Sequence, residues 1–273
     1  MPNLIILATQ RTGSTLLCSE LGAIGGLGQP GEHLLSWRRA RGAGQRLDVP
    51  ALAEASAPGL DADGWVGHKI MSDYLGELAA AWGGGGPEAG PAHQARFIEW
   101  LREHIGPTAV IRISRSDRLD QALSRYLAAE TGLYFRAVDG ICQYGDTGHR
   151  SSLDVAVDGL SLARINRIIG KINREEAALD AVCARLDALV LQIEYEALAA
   201  DREETMARCL GHAGLPVAEP LPPRWMAKVV APALRLRCRD RLLALWLEAQ
   251  GRRARFPELD PIMAAQGALA HTG

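Results

Sequence analysis

Leu4-Ile5-Ile6-Leu7-Ala8-Thr9-Gln10-Arg11-Thr12-Gly13-Ser14-Thr15-Leu16-Leu17 passes from an unbroken apolar run, through a polar turn, into residues with helical spacing. An apolar run without alternation, bounded by turn residues, is the pattern of a strand buried on both faces. Residues 14–21 then repeat apolar positions at helical intervals, so the segment predicts strand, loop, helix. Such a junction attracts anions. Unpaired backbone N–H groups and the positive end of the helix dipole converge there, Gly13 permits close approach, and the Ser14 and Thr15 hydroxyls add donors. Either hydroxyl could equally serve as a helix cap. The loop lacks the Gly-Lys-Ser/Thr ending of a nucleoside-triphosphatase, and Arg11 stands before its glycine. A guanidinium fork suits a group that is bound through a terminal anion and departs as a phosphate.

Working outward, three more short apolar runs at 65–71, 109–114 and 189–195 predict strands, with helical material between them. Helices are expected at 96–105, 119–129, 162–186 and 203–213, the last closed by Gly214, with another near 240–250. Residues 162–186 are amphipathic, with Ile165, Ile168, Ile169, Ile172, Ala177, Leu179 and Val182 on one side. Alternation of this kind predicts an α/β fold, a parallel sheet flanked by helices. The Gly/Pro-rich stretch 83–91 reads as an exposed loop insertion, 36–63 as a linker region, and 216–273 as a basic C-terminal tail and helix. One domain over 1–273 is expected, since 273 residues is near the upper size served by one core.

Composition narrows the function classes. The chain is 48% hydrophobic and 23% charged with a formal net charge of −2, which excludes a nucleic-acid coat. The basic run Arg235, Arg237, Arg239 and Arg241 reads as a solvated helix face. Five dispersed cysteines suggest neither a disulfide framework nor a metal site, and no His/Cys/carboxylate cluster has ligand spacing. The first apolar run is too short for a signal-peptide core and no stretch approaches a membrane span, so a cytoplasmic protein is expected.

The third predicted strand ends in Arg112-Ile113-Ser114-Arg115-Ser116-Asp117, and Ser124 follows Arg115 by nine residues. Arg115 would stand at the carboxyl end of a strand, where α/β proteins bind ligands, with Ser124 on the ensuing helix. By themselves these residues fit a second anion site or an ordinary surface arginine and helix serine.

Taken together, the first loop, Gly28-Gln29-Pro30-Gly31-Glu32, Gly67-His68-Lys69-Ile70-Met71, the stretch from Arg115 to Ser124, and Ile193-Glu194-Tyr195-Glu196-Ala197-Leu198 resemble the bacterial sulfotransferases typified by trehalose 2-sulfotransferase. The resemblance implies a P-loop-NTPase-like fold of sulfotransferase type and a donor, 3′-phosphoadenosine 5′-phosphosulfate. It places the donor's 5′-phosphosulfate on Arg11, Thr12, Gly13, Ser14, Thr15 and Leu16, and its 3′-phosphate on Arg115 and Ser124. It makes Glu32 the general base for an acceptor hydroxyl, and Gln10 a position that touches the acceptor sugar. Gln29 and His33 adjoin Glu32 on that side. Arg11 and Lys69 are the candidates for stabilising charge during transfer. His33 and His68 are rival bases, because other sulfotransferase branches use histidine. The implied acceptor is a hydroxylated small molecule, a sugar or glycolipid, and a homodimer is compatible with the resemblance. No metal is required. Where the family pattern has Glu-Pro-Gln-Glu and then aromatic residues, this chain has Gln29-Pro30-Gly31-Glu32-His33-Leu34, a change that leaves the donor half intact. In the tail, Arg224, Trp225 and Lys228 are candidates to fold over the nucleotide. Two other classes remain open. A divergent kinase would need magnesium and a nucleoside triphosphate, and a catalytically silent scaffold would bind nucleotide without acceptor-dependent turnover.

Overall fold

The computed structural model describes residues 2–42, 45–83, 90–106, 108–137, 142–144, 152–186, 190–217, 220–224, 226–227, 232–252 and 254–270. In chain order they form β1 (Asn3–Ala8), α1 (Ser14–Ile24), α2 (His33–Arg41), α3 (Val49–Ser56), a 3₁₀ turn (Ala57–Gly59), β2 (Val66–Met71), α4 (Ser72–Gly83), α5 (Pro91–Ile105) and β3 (Thr108–Ser114). There follow α6 (Arg118–Thr131), β4 (Leu133–Ala137), β5 (Cys142–Tyr144), α7 (Leu153–Asp158), α8 (Leu162–Leu186), β6 (Val190–Glu194), α9 (Tyr195–Ala200) and α10 (Arg202–His212). The chain continues through β7 (Met226–Ala227), α11 (Pro232–Gly251) and α12 (Asp260–Ala270). These elements group into two compact units, Met1–Ser116 with Glu175–Pro223, and Asp117–Arg174 with Arg224–Gly273.

The first unit is built on a parallel four-stranded sheet in the order β2-β1-β3-β6, flanked by helices. β1 lies inside this sheet and is buried along its whole length, which is why its sequence is apolar without alternation. Burying each of Leu4, Ile5, Ile6 and Leu7 contributes about 1.5–3 kcal/mol. From β1 the chain crosses to β2 on one side, whereas from β3 it crosses to β6 on the other. The crevice at the carboxyl ends of β1 and β3 is therefore the topological switch point, where open α/β sheets bind ligands.

All four expected strands belong to this sheet, with Leu189 outside the described residues. The expected linker at 36–63 is instead largely helical, carrying most of α2 and all of α3. Asp48 caps α3 by accepting a hydrogen bond from the Ala51 N–H, with proline in the helix's first turn. In the expected loop insertion at 83–91, residues 84–89 lie outside the described residues, as do Trp225 and Lys228 of the tail.

The second unit has its own core, in which α6, α7, α8, α11 and α12 bury Leu119, Tyr126, Ile165, Ile169, Leu242 and Met263. It also holds a small antiparallel sheet, β5-β4-β7, that sequence periodicity did not predict. The basic run on α11 is engaged rather than simply solvated. Arg235 and Arg239 pair with the buried Asp120 of α6, Arg239 also with Asp117, and Arg237 with Asp154 of α7.

Candidate active site

β1 delivers the chain into Thr9-Gln10-Arg11-Thr12-Gly13 at the switch point. The Thr12 hydroxyl donates to the Thr9 carbonyl at 2.9 Å and closes the turn. Arg11 adopts φ of 67° and Gly13 φ of 79°. A left-handed arginine is uncommon and costs about 1–3 kcal/mol, a strain of the sort held at ligand-binding loops. Gly13 is the helix cap of α1 and provides no side-chain hydrogen bond, so neither Ser14 nor Thr15 takes the capping role. Ser14 Oγ instead faces Met71 Sδ at 3.8 Å, while Thr15 Oγ1 accepts from Lys69 Nζ at 3.3 Å.

The segment before α2 is stitched to β2. Lys69 N–H donates to the Gly31 carbonyl at 2.7 Å, and Gly31 forms a parallel bridge with His68. This approach requires glycine. A Cβ on Gly67 would lie 2.6 Å from the Pro30 nitrogen, and one on Gly28 2.2 Å from the Gly67 nitrogen. The stitch delivers Glu32 to Lys69, with Oε1 and Nζ 2.8 Å apart. The lysine side chain is 10% exposed and the glutamate 35%, so the cation is held in the wall while the carboxylate reaches solvent. Tyr74 steadies this part of β2 by donating to the Lys69 carbonyl at 2.9 Å.

His68 faces into packing. It is fully buried, with Nε2 3.2 Å from Ser56 Oγ, and Nδ1 has no hydrogen-bond partner. Burial, with a smaller contribution from His33, pushes its pKa from 6.5 down to about 3, so it stays neutral and cannot meet an acceptor. Its folded pKa lies below its unfolded one, so the unfolded chain takes up the proton first and stability falls as pH drops below the unfolded value. Between about pH 7 and 5 this amounts to about 2 kcal/mol. His68→Gln is expected to flatten that part of the pH dependence, measured as urea midpoints of the two proteins at both pH values. Parallel curves for the two would count against the assignment.

The other expected residues are placed as follows. Gln10 donates through Nε2 to Asp73 Oδ2 at the start of α4, at 2.8 Å. Gln29 turns back to the Gly22 carbonyl at 3.3 Å. His33 sets Nε2 2.8 Å from the Gln29 carbonyl oxygen, with its ring centroid 6.2 Å from that of His68. Arg115 follows β3, almost buried, and reaches the Arg11 carbonyl at 3.4 Å. Thus Arg11, Thr15, Glu32, Lys69 and Arg115 are gathered in the first unit, whereas Ser124 lies on α6 of the second. Arg224 is also in the second unit.

A helix terminus without a side-chain cap, a left-handed arginine and a carboxylate paired to a wall lysine suit anionic group transfer, and the family comparison agrees. The model of the Stf0 sulphotransferase family matches residues 3–230. The chain belongs to that family. Membership makes it a transferase of sulfuryl groups, as the loop motifs suggested. A solved structure, that of a sulfotransferase from Alicyclobacillus acidocaldarius, is 14% identical with a TM-score of 0.48, covering 91% of this chain and 92% of that one. No curated protein matches the chain. Among the described residues, no helix of this Stf0 sulphotransferase is long and apolar enough to cross a membrane.

Sequence reasoning missed a buried polar network under the loop that follows β1. Arg112, fully buried in β3, donates to Glu176 Oε2 at 2.8 Å and to the Ile113 carbonyl at 2.8 Å, with Asp180 at 3.4 Å. Thr9, the first loop residue, donates its hydroxyl to Glu176 Oε1. The signal was present in α8, where Glu176 follows Ile165, Ile169 and Ile172 on the apolar stripe. A carboxylate in such a stripe calls for a buried cation or hydrogen-bond donors, and among the described residues of β2 and β3, the strands beside β1, the arginine is Arg112.

Proposed function

We propose that the protein transfers the sulfuryl group of 3′-phosphoadenosine 5′-phosphosulfate to a hydroxyl of a carbohydrate or other small acceptor, with Glu32 as general base. The observation that carries the reading is the Glu32–Lys69 pair beside the open N-terminus of α1. The residues present fit the donor: backbone N–H groups at Gly13 to Leu16 and the Arg11 and Lys69 cations would meet its phosphosulfate, and Arg115 its nucleotide phosphate. The donor supplies the sulfuryl group and a phosphate leaving group. In the reaction the acceptor oxygen forms a bond to sulfur as the bridging S–O bond breaks and its electron pair stays with the 5′-phosphate. The acceptor proton passes to Glu32, whose carboxylate is open to solvent and can later release it. Lys69 supplies positive charge where the phosphate oxygen becomes anionic. By analogy with phosphoryl transfer the transition state is loose, so positioning and charge stabilisation do most of the work. No metal is required, because arginine, lysine and backbone amides supply the compensating charge.

The test is isothermal titration with 3′-phosphoadenosine 5′-phosphate. Specific binding by the natural protein is expected, weakened about 10–100-fold by Arg115→Ala, which removes charge-assisted hydrogen bonds to a phosphate. Ser124→Ala, the other position implied by the motif, is expected to weaken it a few-fold, about one neutral hydrogen bond. No binding, or binding indifferent to both changes, would overturn the donor reading.

A further inference from the structure

We infer that Tyr195 and Glu196, where β6 turns into α9, are positioning residues that aim Arg115 at the donor's nucleotide phosphate, an inference resting on the donor reading above. The Arg115 guanidinium carbon lies 4.8 Å from the centroid of the Tyr195 ring. Glu196 Oε1 stands 3.7 Å from Arg115 Nε, and its Oε2 accepts the Ser116 N–H at 3.1 Å. The aromatic face sets the plane of the fork, and the carboxylate, an ion-pair partner 3.7 Å from Nε rather than a hydrogen-bond acceptor, draws that edge toward α9. Glu196 holds the backbone after Arg115 as well as the side chain, so both ends of the arginine are constrained from one dipeptide. The Tyr195 ring also packs against the first anion loop, for a Cβ on Gly13 would fall 2.4 Å from its Cδ2. One residue thus gauges the loop that would meet the phosphosulfate and the cation that would meet the nucleotide phosphate.

The arrangement has a consequence that simple structural support would lack. A guanidinium whose plane is preset loses little freedom on binding and favours a phosphate at one position over the same ligand without it. Tyr195 and Glu196 therefore govern the preference for a 3′-phosphorylated nucleotide, not nucleotide binding in general.

The experiment compares dissociation constants for 3′-phosphoadenosine 5′-phosphate and adenosine 5′-phosphate across the natural protein, Tyr195→Phe, Tyr195→Leu and Glu196→Gln, with melting temperatures recorded alongside. The natural protein is expected to prefer the 3′-phosphorylated ligand. Glu196→Gln should narrow that preference about tenfold with adenosine 5′-phosphate affinity held within about twofold, whereas Tyr195→Leu, whose ring also touches the Gly13 loop, should weaken both ligands but the 3′-phosphorylated one about tenfold more. Tyr195→Phe keeps the ring face and should retain the preference. Should Tyr195→Leu fail to fold, Glu196→Gln carries the test alone. A preference unchanged in Tyr195→Leu and Glu196→Gln, or an equal loss for both ligands, would overturn the inference while leaving the donor reading in place. Absence of any preference in the natural protein would overturn both.

Discussion

Replacing Glu32 by glutamine is expected to lower acceptor-dependent sulfuryl transfer by about 10²–10⁴-fold while changing affinity for 3′-phosphoadenosine 5′-phosphate by only a few-fold. Glutamine has nearly the same shape and keeps an oxygen that can accept from Lys69, so the wall of the site is preserved. What it loses is the ability to take the acceptor's proton. The carboxylate is also the ion-pair partner of Lys69, 2.8 Å away, and removing its negative charge takes away a repulsion toward the anionic donor. Any change in donor affinity should therefore be a modest gain. Initial rates with a panel of sugar acceptors, trehalose and glucose included, and a parallel titration of the donor product separate the two effects. A variant that transfers at the natural rate would remove Glu32 from the chemistry.

Arg112→Met is expected to destabilise the protein by about 3–5 kcal/mol, because Glu176 would remain buried without its cation. For a chain of this size that corresponds to a fall in Tm of about 10 °C. The double variant Arg112→Met/Glu176→Leu is expected to recover most of the loss, since a buried ion pair replaced by apolar groups of similar volume is often neutral. Recovery should be incomplete, because the Thr9 hydroxyl donates to Glu176 and would lose its acceptor. Thermal unfolding of the three proteins provides the check, and a single variant as stable as the natural protein would show that the charge is compensated some other way.

The loop after β1 was more legible in the sequence than the Glu32–Lys69 pair, and the reason is local. That loop follows from a strand, a glycine and a helix start that are consecutive in the chain. Residues 162–186 were equally readable, because twenty-five residues of apolar spacing define a helix whatever surrounds them. By contrast, the Glu32–Lys69 pair depends on a single backbone rung between Gly31 and His68, a tertiary event with no periodicity. The motif resemblance supplied both residues but not their contact. Residues 36–63 were read as a linker region, whereas they carry most of α2 and all of α3. In the structure Arg38 is buried, donating to the Gly42 and Gln45 carbonyls and facing Glu77. The capping residue Asp48 and the proline after Val49 were the local signals available for α3. The short strands β4, β5 and β7 are defined by pairing rather than by long apolar runs, which leaves single-sequence reading little to use.

The backbone contact of Gly28 and Pro30 with Gly67 sets a rule for anyone who diversifies this enzyme by directed evolution. Randomising residues 28–33 as a block would fill a library with variants whose Glu32 carboxylate has drifted from Lys69, because a side chain on Gly28 would push the segment off β2. A library that freezes Gly28 and Gly67 and varies Gln10, Gln29 and His33 keeps the chassis and changes only its upholstery. The same contact gives homologous loop grafts a simple compatibility criterion: an incoming segment must bring its own glycine opposite Gly67.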